Sequence, residues 1–66
     1  MITITRLFIP KNEGDVDRLI RLAANNNVHA VYKIGVYGKE RQNELYLTGR
    51  PWDVYEFMSK HKNERQ

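Results

Sequence analysis

The chain has 66 residues, a formal charge of +3 and no cysteine. That length holds one domain, 1–66, whose own core supplies only about 3–5 kcal/mol, and it excludes disulfides and thiolate metal sites. Charges of both signs are spread along the chain, so the basic excess permits nucleic-acid binding without the dedicated basic stripe that argues for it.

Ile2 to Ile9 is rich in β-branched and aromatic residues, which predicts a strand ended by Pro10. Alternation divides it into two faces, Leu7 and Ile9 with the threonines on one, and Ile2, Ile4, Arg6 and Phe8 on the other. The second set carries the arginine and is assigned to the open side. Lys11-Asn12-Glu13-Gly14 is a loop, with Asn12 or Gly14 as N-cap of the next element. Val16, Leu19, Ile20 and Ala23 recur at helical spacing and make the stripe of a helix lying on a sheet. Asn25-Asn26-Asn27 stops it, because asparagine tolerates the left-handed backbone that closes a helix.

Val28 to Tyr37 is a second strand and Glu44 to Thr48 a third, joined by a charged turn over Gly38 to Asn43. Leu45 and Leu47 share the face of Ala30, Tyr32, Ile34 and Val36. Glu44, Tyr46 and Thr48 share the opposite one. Pro51 suits the first position of a second helix, Trp52 to His61. Its stripe is Val54, Phe57, Met58 and His61, with Trp52 and Tyr55 widening it. Residues 59–66 are polar and expected to fray.

The order β-α-β-β-α with two amphipathic helices predicts an α+β domain. Three antiparallel strands are covered on one face, the split β-α-β plan of ferredoxin-like folds without its last strand. The first strand is then an exposed edge, a template for another chain. The opposite sheet face is left with Ile4, Phe8, Val31, Lys33, Tyr37 and Tyr46, an apolar and aromatic patch of the kind that marks protein contacts.

The same face offers Arg6, Phe8, Lys11, Lys33, Tyr37 and Tyr46 to single-stranded nucleic acid, with rings for bases and cations for phosphates. Leu7-Phe8-Ile9-Pro10-Lys11-Asn12 resembles the first-strand hexapeptide of RNA-recognition motifs, which implies a base stacked on Phe8. Gln42-Asn43-Glu44-Leu45-Tyr46-Leu47 departs from that family's third strand, with one aromatic, no glycine and an acid in the middle. The fourth strand is absent as well, so the chain is not assigned to the family. Ile2 and Ile4 offer neither a π-face nor a charge, which favours a protein over a nucleic acid.

Catalytic chemistry is not expected. His29 and His61 are the only histidines, Ser59 is the only serine, and Asp15 and Asp17 diverge on a helix. No metal-ligand spacing and no phosphate-binding loop occurs, so no metal and no cofactor is expected. No secretion leader and no apolar run of about 20 residues is read, which predicts a soluble, cytoplasmic protein. The sequence thus predicts a non-enzymatic protein-interaction regulator. It is expected to dimerise or to dock on a larger protein through the open sheet face and first-strand edge, with single-stranded RNA or DNA as the alternative ligand. By size alone it compares with accessory or virus-encoded modulators of larger machines.

Overall fold

The computed structural model describes residues 2–61. The predicted order is present: β1 (Ile4–Phe8), a 3-10 turn (Glu13–Asp15), α1 (Val16–Asn25), β2 (His29–Tyr37), β3 (Glu40–Gly49) and α2 (Pro51–His61). The strands form one sheet in the order β1-β3-β2, with β3 antiparallel to both neighbours. β1 and β2 therefore run in the same direction, and α1 carries the chain across between them. The part of the expected frayed end past His61 lies outside the described residues. Ser59 to His61 are helical.

The end of α1 and the start of α2 have local causes. Asp15 takes the N-cap position of α1 in place of Asn12 or Gly14, with helical backbone and no side-chain cap. At the other end Asn27 adopts φ 63. The Asn27 amide donates to the Ala24 carbonyl (3.3 Å) and the Val28 amide to the Ala23 carbonyl (2.8 Å). This is the Schellman pairing, and it brings Val28 and Ala23 together in the core, where both are buried. The second helix opens on Pro51, whose missing N–H is not needed there, and the Val54 amide donates to the Arg50 carbonyl (3.0 Å).

The core is Phe8, Val16, Leu19, Ala23, Val28, Leu45, Leu47, Val54 and Phe57. Phe8 meets Phe57 edge to face, with ring centroids 6.2 Å apart. Register fixes the side of each strand residue. Phe8 lies opposite Leu45, and Leu45 opposite Tyr32. Ile4, Arg6 and Phe8 thus share the helix-covered side, and Thr5 and Leu7 face outward, the reverse of the sequence reading. Phe8 is only 4% exposed, while Leu7 is 42% exposed. The Phe8 ring packs edge to face on Phe57, and Arg6, although on that side, stays exposed at its rim. Its guanidinium reaches past the core, donating to the Tyr55 hydroxyl (3.1 Å) and to the Thr5 carbonyl (3.0 Å).

Two further expectations are corrected. Trp52 and Tyr55 do not widen the buried stripe of α2; both are exposed. Trp52 stands two residues before Val54, about 200° around the helix, and Tyr55 about 100° from it. The Trp52 ring instead carries the Arg50 guanidinium at 5.1 Å. The connection between β2 and β3 is not a loop over Gly38 to Asn43. Tyr37 pairs with Glu40, so only Gly38 and Lys39 turn the chain. Gly38 has φ +66 and Lys39 no positive φ, the pattern of a type II′ turn. A register this tight converts residues 40–43 from loop to strand.

The hairpin therefore outruns its cover. Nine residues of β2 extend about 30 Å, whereas the ten of α1 extend about 15 Å. The molecule is drawn out to 39 × 20 × 18 Å. Among the described residues no helix is long and apolar enough to cross a membrane.

Leu45 is fully buried at the centre of the sheet. Leu45→Ala is expected to cost about 2–5 kcal/mol, which matches or exceeds the stability such a core supplies. Urea unfolding followed by circular dichroism is expected to lose its cooperative transition at 25 °C. A transition shifted by less than about 1 kcal/mol would place the core elsewhere.

Candidate functional site

The hairpin presents two different surfaces. On the uncovered side of the sheet, β2 contributes Val31, Lys33, Gly35 and Tyr37, and β3 contributes Gln42, Glu44 and Tyr46. Val31 lies opposite Tyr46 and Lys33 opposite Glu44. These residues gather round one carboxylate. Glu44 is 3% exposed although it sits on the open side, because its neighbours fold over it. It accepts hydrogen bonds from the Tyr37 hydroxyl (2.5 Å), from the Gln42 amide (3.0 Å) and from the Tyr46 hydroxyl (3.2 Å). The Lys33 ammonium stands 5.4 Å from the Tyr46 ring centroid.

Gly35 makes this convergence possible. A Cβ there would come within 2.7 Å of the Tyr37 ring and closer still to the Glu44 carboxylate. An isolated glycine inside a strand is the sequence signal of such a close approach, and it was readable. Which side chains converge over it depends on the register, which sequence did not set.

The hydrogen bonds from Tyr37 and Gln42 hold the Glu44 carboxyl below its usual 4.5, against the opposing pull of burial, with Tyr46 and Lys33 adding to the lowering. The same bonds, and the negative charge they face, raise the Tyr37 and Tyr46 phenols above 10.0. At neutral pH the cluster is one carboxylate held by two neutral phenols. A carboxylate with a lowered pKa is a weak base, and phenols that donate to it are weak acids, so the arrangement fixes side chains better than it moves protons.

The other side of the hairpin carries Tyr32, Ile34 and Val36. Sequence reading placed them under the helices with Leu45 and Leu47. They do point that way, but α1 ends short of them, and Ile34 and Val36 are 51% and 65% exposed. Where the arm leaves α1, Val16, Asp17, Ile20, Tyr32 and Asn43 line an open groove of about 400 Å³. The Tyr32 hydroxyl donates to the Asn43 side-chain oxygen (2.7 Å) at its edge. Arg41 lies opposite Val36 near the tip.

Of the residues expected to form one contact face, the structure brings together Val31, Lys33, Tyr37 and Tyr46. It separates Ile4, Arg6 and Phe8, which lie across the sheet from them. Lys11 is exposed in the loop after Pro10. The base-stacking surface is divided in consequence: Phe8 is core, Arg6 is bound to Tyr55, and a carboxylate sits between Tyr37 and Tyr46. The residues that sequence reasoning missed are Glu44, Gly35, and the exposed Ile34 and Val36. Among the described residues no group of three or more histidine, cysteine, aspartate or glutamate side chains is placed to hold a metal ion.

Two outcomes check the cluster. The stability that Glu44 contributes is complete above pH 4.5 and is lost as pH falls through its lowered folded-state pKa. That contributed by the phenols is complete below pH 10.0 and is lost as pH rises through their raised ones. Melting temperature against pH is therefore expected to flatten on its acid limb in Glu44→Gln and on its alkaline limb in Tyr37→Phe. Unchanged limbs would remove the cluster from the stability account. Gly35→Ala is expected to push Tyr37 off Glu44, so that ultraviolet titration of the phenols moves one midpoint down toward 10.0. No family model, no curated protein and no solved structure matches this chain.

Proposed function

We propose that this protein is a non-enzymatic binding module that engages another protein with its projecting β2–β3 hairpin. One observation carries the reading. Three large apolar or aromatic side chains of β2, Tyr32, Ile34 and Val36, stand exposed side by side on one face of an arm that the helices do not cover, and Tyr37 stands exposed on its other face. A chain with so small a core gains little by leaving such residues in water, and a contiguous group of them is the usual mark of an interaction surface. Aromatic anchors flanked by Lys33, Lys39 and Arg41 give it the apolar centre and polar rim of protein interfaces. The contact surface is thus the arm, on both its sides, rather than the open sheet face with the β1 edge.

A nucleic-acid role has less support. The rings and cations it needs are divided between the two sides of the sheet, with Phe8 and Arg6 on one and Tyr37, Tyr46 and Lys33 on the other, and Glu44 repels phosphate from the face that keeps Tyr37 and Tyr46.

Affinity capture from native lysate, with and without nuclease treatment, tests the proposal with two baits, the native chain and Ile34→Asp. Because Ile34 is half exposed, the variant is expected to keep its circular dichroism spectrum. A defined protein, or further copies of the chain, is expected on the native bait and lost from the variant. Identical protein profiles on both baits overturn the proposal, as does a retained species that disappears on nuclease treatment.

A further inference from the structure

We propose that β2 is the pairing edge of a symmetric homodimer, in which the β2 strands of two copies run antiparallel about a two-fold axis at Ile34. This rests on the reading of the hairpin as a contact arm and names its occupant, a second copy of the chain.

In a two-residue hairpin the closing pair, Tyr37 and Glu40, exchanges backbone hydrogen bonds, and bonded pairs then alternate along the ladder. Gly35, Lys33, Val31 and His29 direct their N–H and C=O groups to β3. Val36, Ile34, Tyr32 and Ala30 direct theirs the other way. β2 has no strand on that side. The strand is long, contains no proline and carries Lys33 as its one formal charge, which is the description of an unprotected edge.

The same alternation applied to β3 turns the backbone groups of Thr5 and Leu7 outward on β1. That edge is shorter, five residues, and the Arg6 guanidinium already occupies the Thr5 carbonyl (3.0 Å). Of the two edges, β2 is the open one.

Register follows from side-chain chemistry. A pairing centred on Lys33 sets two ammonium groups directly opposite each other, which is destabilising. One centred on Tyr32 pairs Val36 with Val28, which is buried beneath the end of α1. One centred on Ile34 matches every position from Val31 to Tyr37. Ile34 meets Ile34, and Tyr32 meets Val36, on the helix side. Val31 meets Tyr37, and Lys33 meets Gly35, on the other. The last pair supplies charge complementarity. The Glu44 carboxylate and the Tyr37 ring lie over Gly35, so the ammonium of one copy is brought toward the carboxylate of the other without a Gly35 side chain between them. The outward groups of Ile34, and of Tyr32 with Val36, exchange N–H···O=C bonds across the axis. The contact is isologous and closes at two copies. The two sheets become one of six strands, and the exposed residues of both arms pack against each other.

Sedimentation velocity of the full chain, from low micromolar to near-millimolar concentration, is expected to show a monomer–dimer equilibrium. Ile34→Lys sets like charges face to face and removes two buried isoleucines, and is expected to weaken it by about tenfold or more. Because the chain has no cysteine, single-cysteine variants report the register even if that variant fails to fold. A residue on the axis lies about 5.5 Å from its symmetry mate between Cα atoms, within disulfide reach. Ile34→Cys is expected to cross-link on mild oxidation at least about tenfold faster than Val36→Cys or Leu7→Cys, whose mates are offset along the strand or on the far edge. Equal rates overturn the register, and a monomer at every concentration overturns the dimer. If the native bait still captures a different protein that Ile34→Asp loses, the binding reading stands and only the self-pairing falls. If neither is seen, both fall.

Discussion

The rest of the structure depends on a mismatch of lengths. Gly38 lets the chain reverse across two residues, so β2 and β3 stay paired for their whole extent, while each helix covers only about half of that distance. The apolar core closes where the helices end. Everything beyond that line keeps the alternation of a strand with nothing above it, and the exposed Ile34 and Val36 are the direct result. Had the turn been the six-residue loop suggested by its charges, residues 40–43 would not have been there to pair with the outer part of β2.

A two-stranded ribbon free of a core is marginal in water. The Glu44 cluster is what stiffens this one. Hydrogen bonds from Tyr37 and Gln42 tie the outer part of the ribbon to a carboxylate further in, and the Tyr46 bond ties that carboxylate to the covered half. Gly35 gives up its own side chain to let the group close. The uncovered face of the arm is thereby held by polar contacts, and the other face is left apolar. This division matters for binding, since a surface ordered before contact loses less entropy on contact.

The sequence carried the helices, their buried stripes, the asparagine stop and the order of elements, because each rests on local chemistry that a neighbour does not alter. The side choice of β1 was not legible. Both of its faces are apolar, and Arg6 does not decide between them, because on the covered side its guanidinium still reaches solvent at the rim, beside Tyr55. That single inversion moved Ile4 and Phe8 out of the expected contact face. Likewise Glu40, Arg41, Gln42 and Asn43, all charged or amide, look like a loop, because cross-strand partners are what make them a strand. The candidate site was therefore half readable: Val31, Lys33, Tyr37 and Tyr46 follow from alternation within β2 and β3, whereas the exposed arm follows from lengths measured in three dimensions.

The central place of β3 also sets the sequence of events in folding. Its pairing with β2 closes across Gly38 and Lys39, while its pairing with β1 joins residues far apart in the chain, such as Ile4 and Gly49. Loop-closure entropy grows with that separation, so the hairpin forms first and β1 docks later, when Phe8 and Phe57 can meet. In the interval β3 has an open side as well. A strand from another molecule then competes with β1 for the same backbone groups, and the outcome of refolding is governed by protein concentration as much as by temperature.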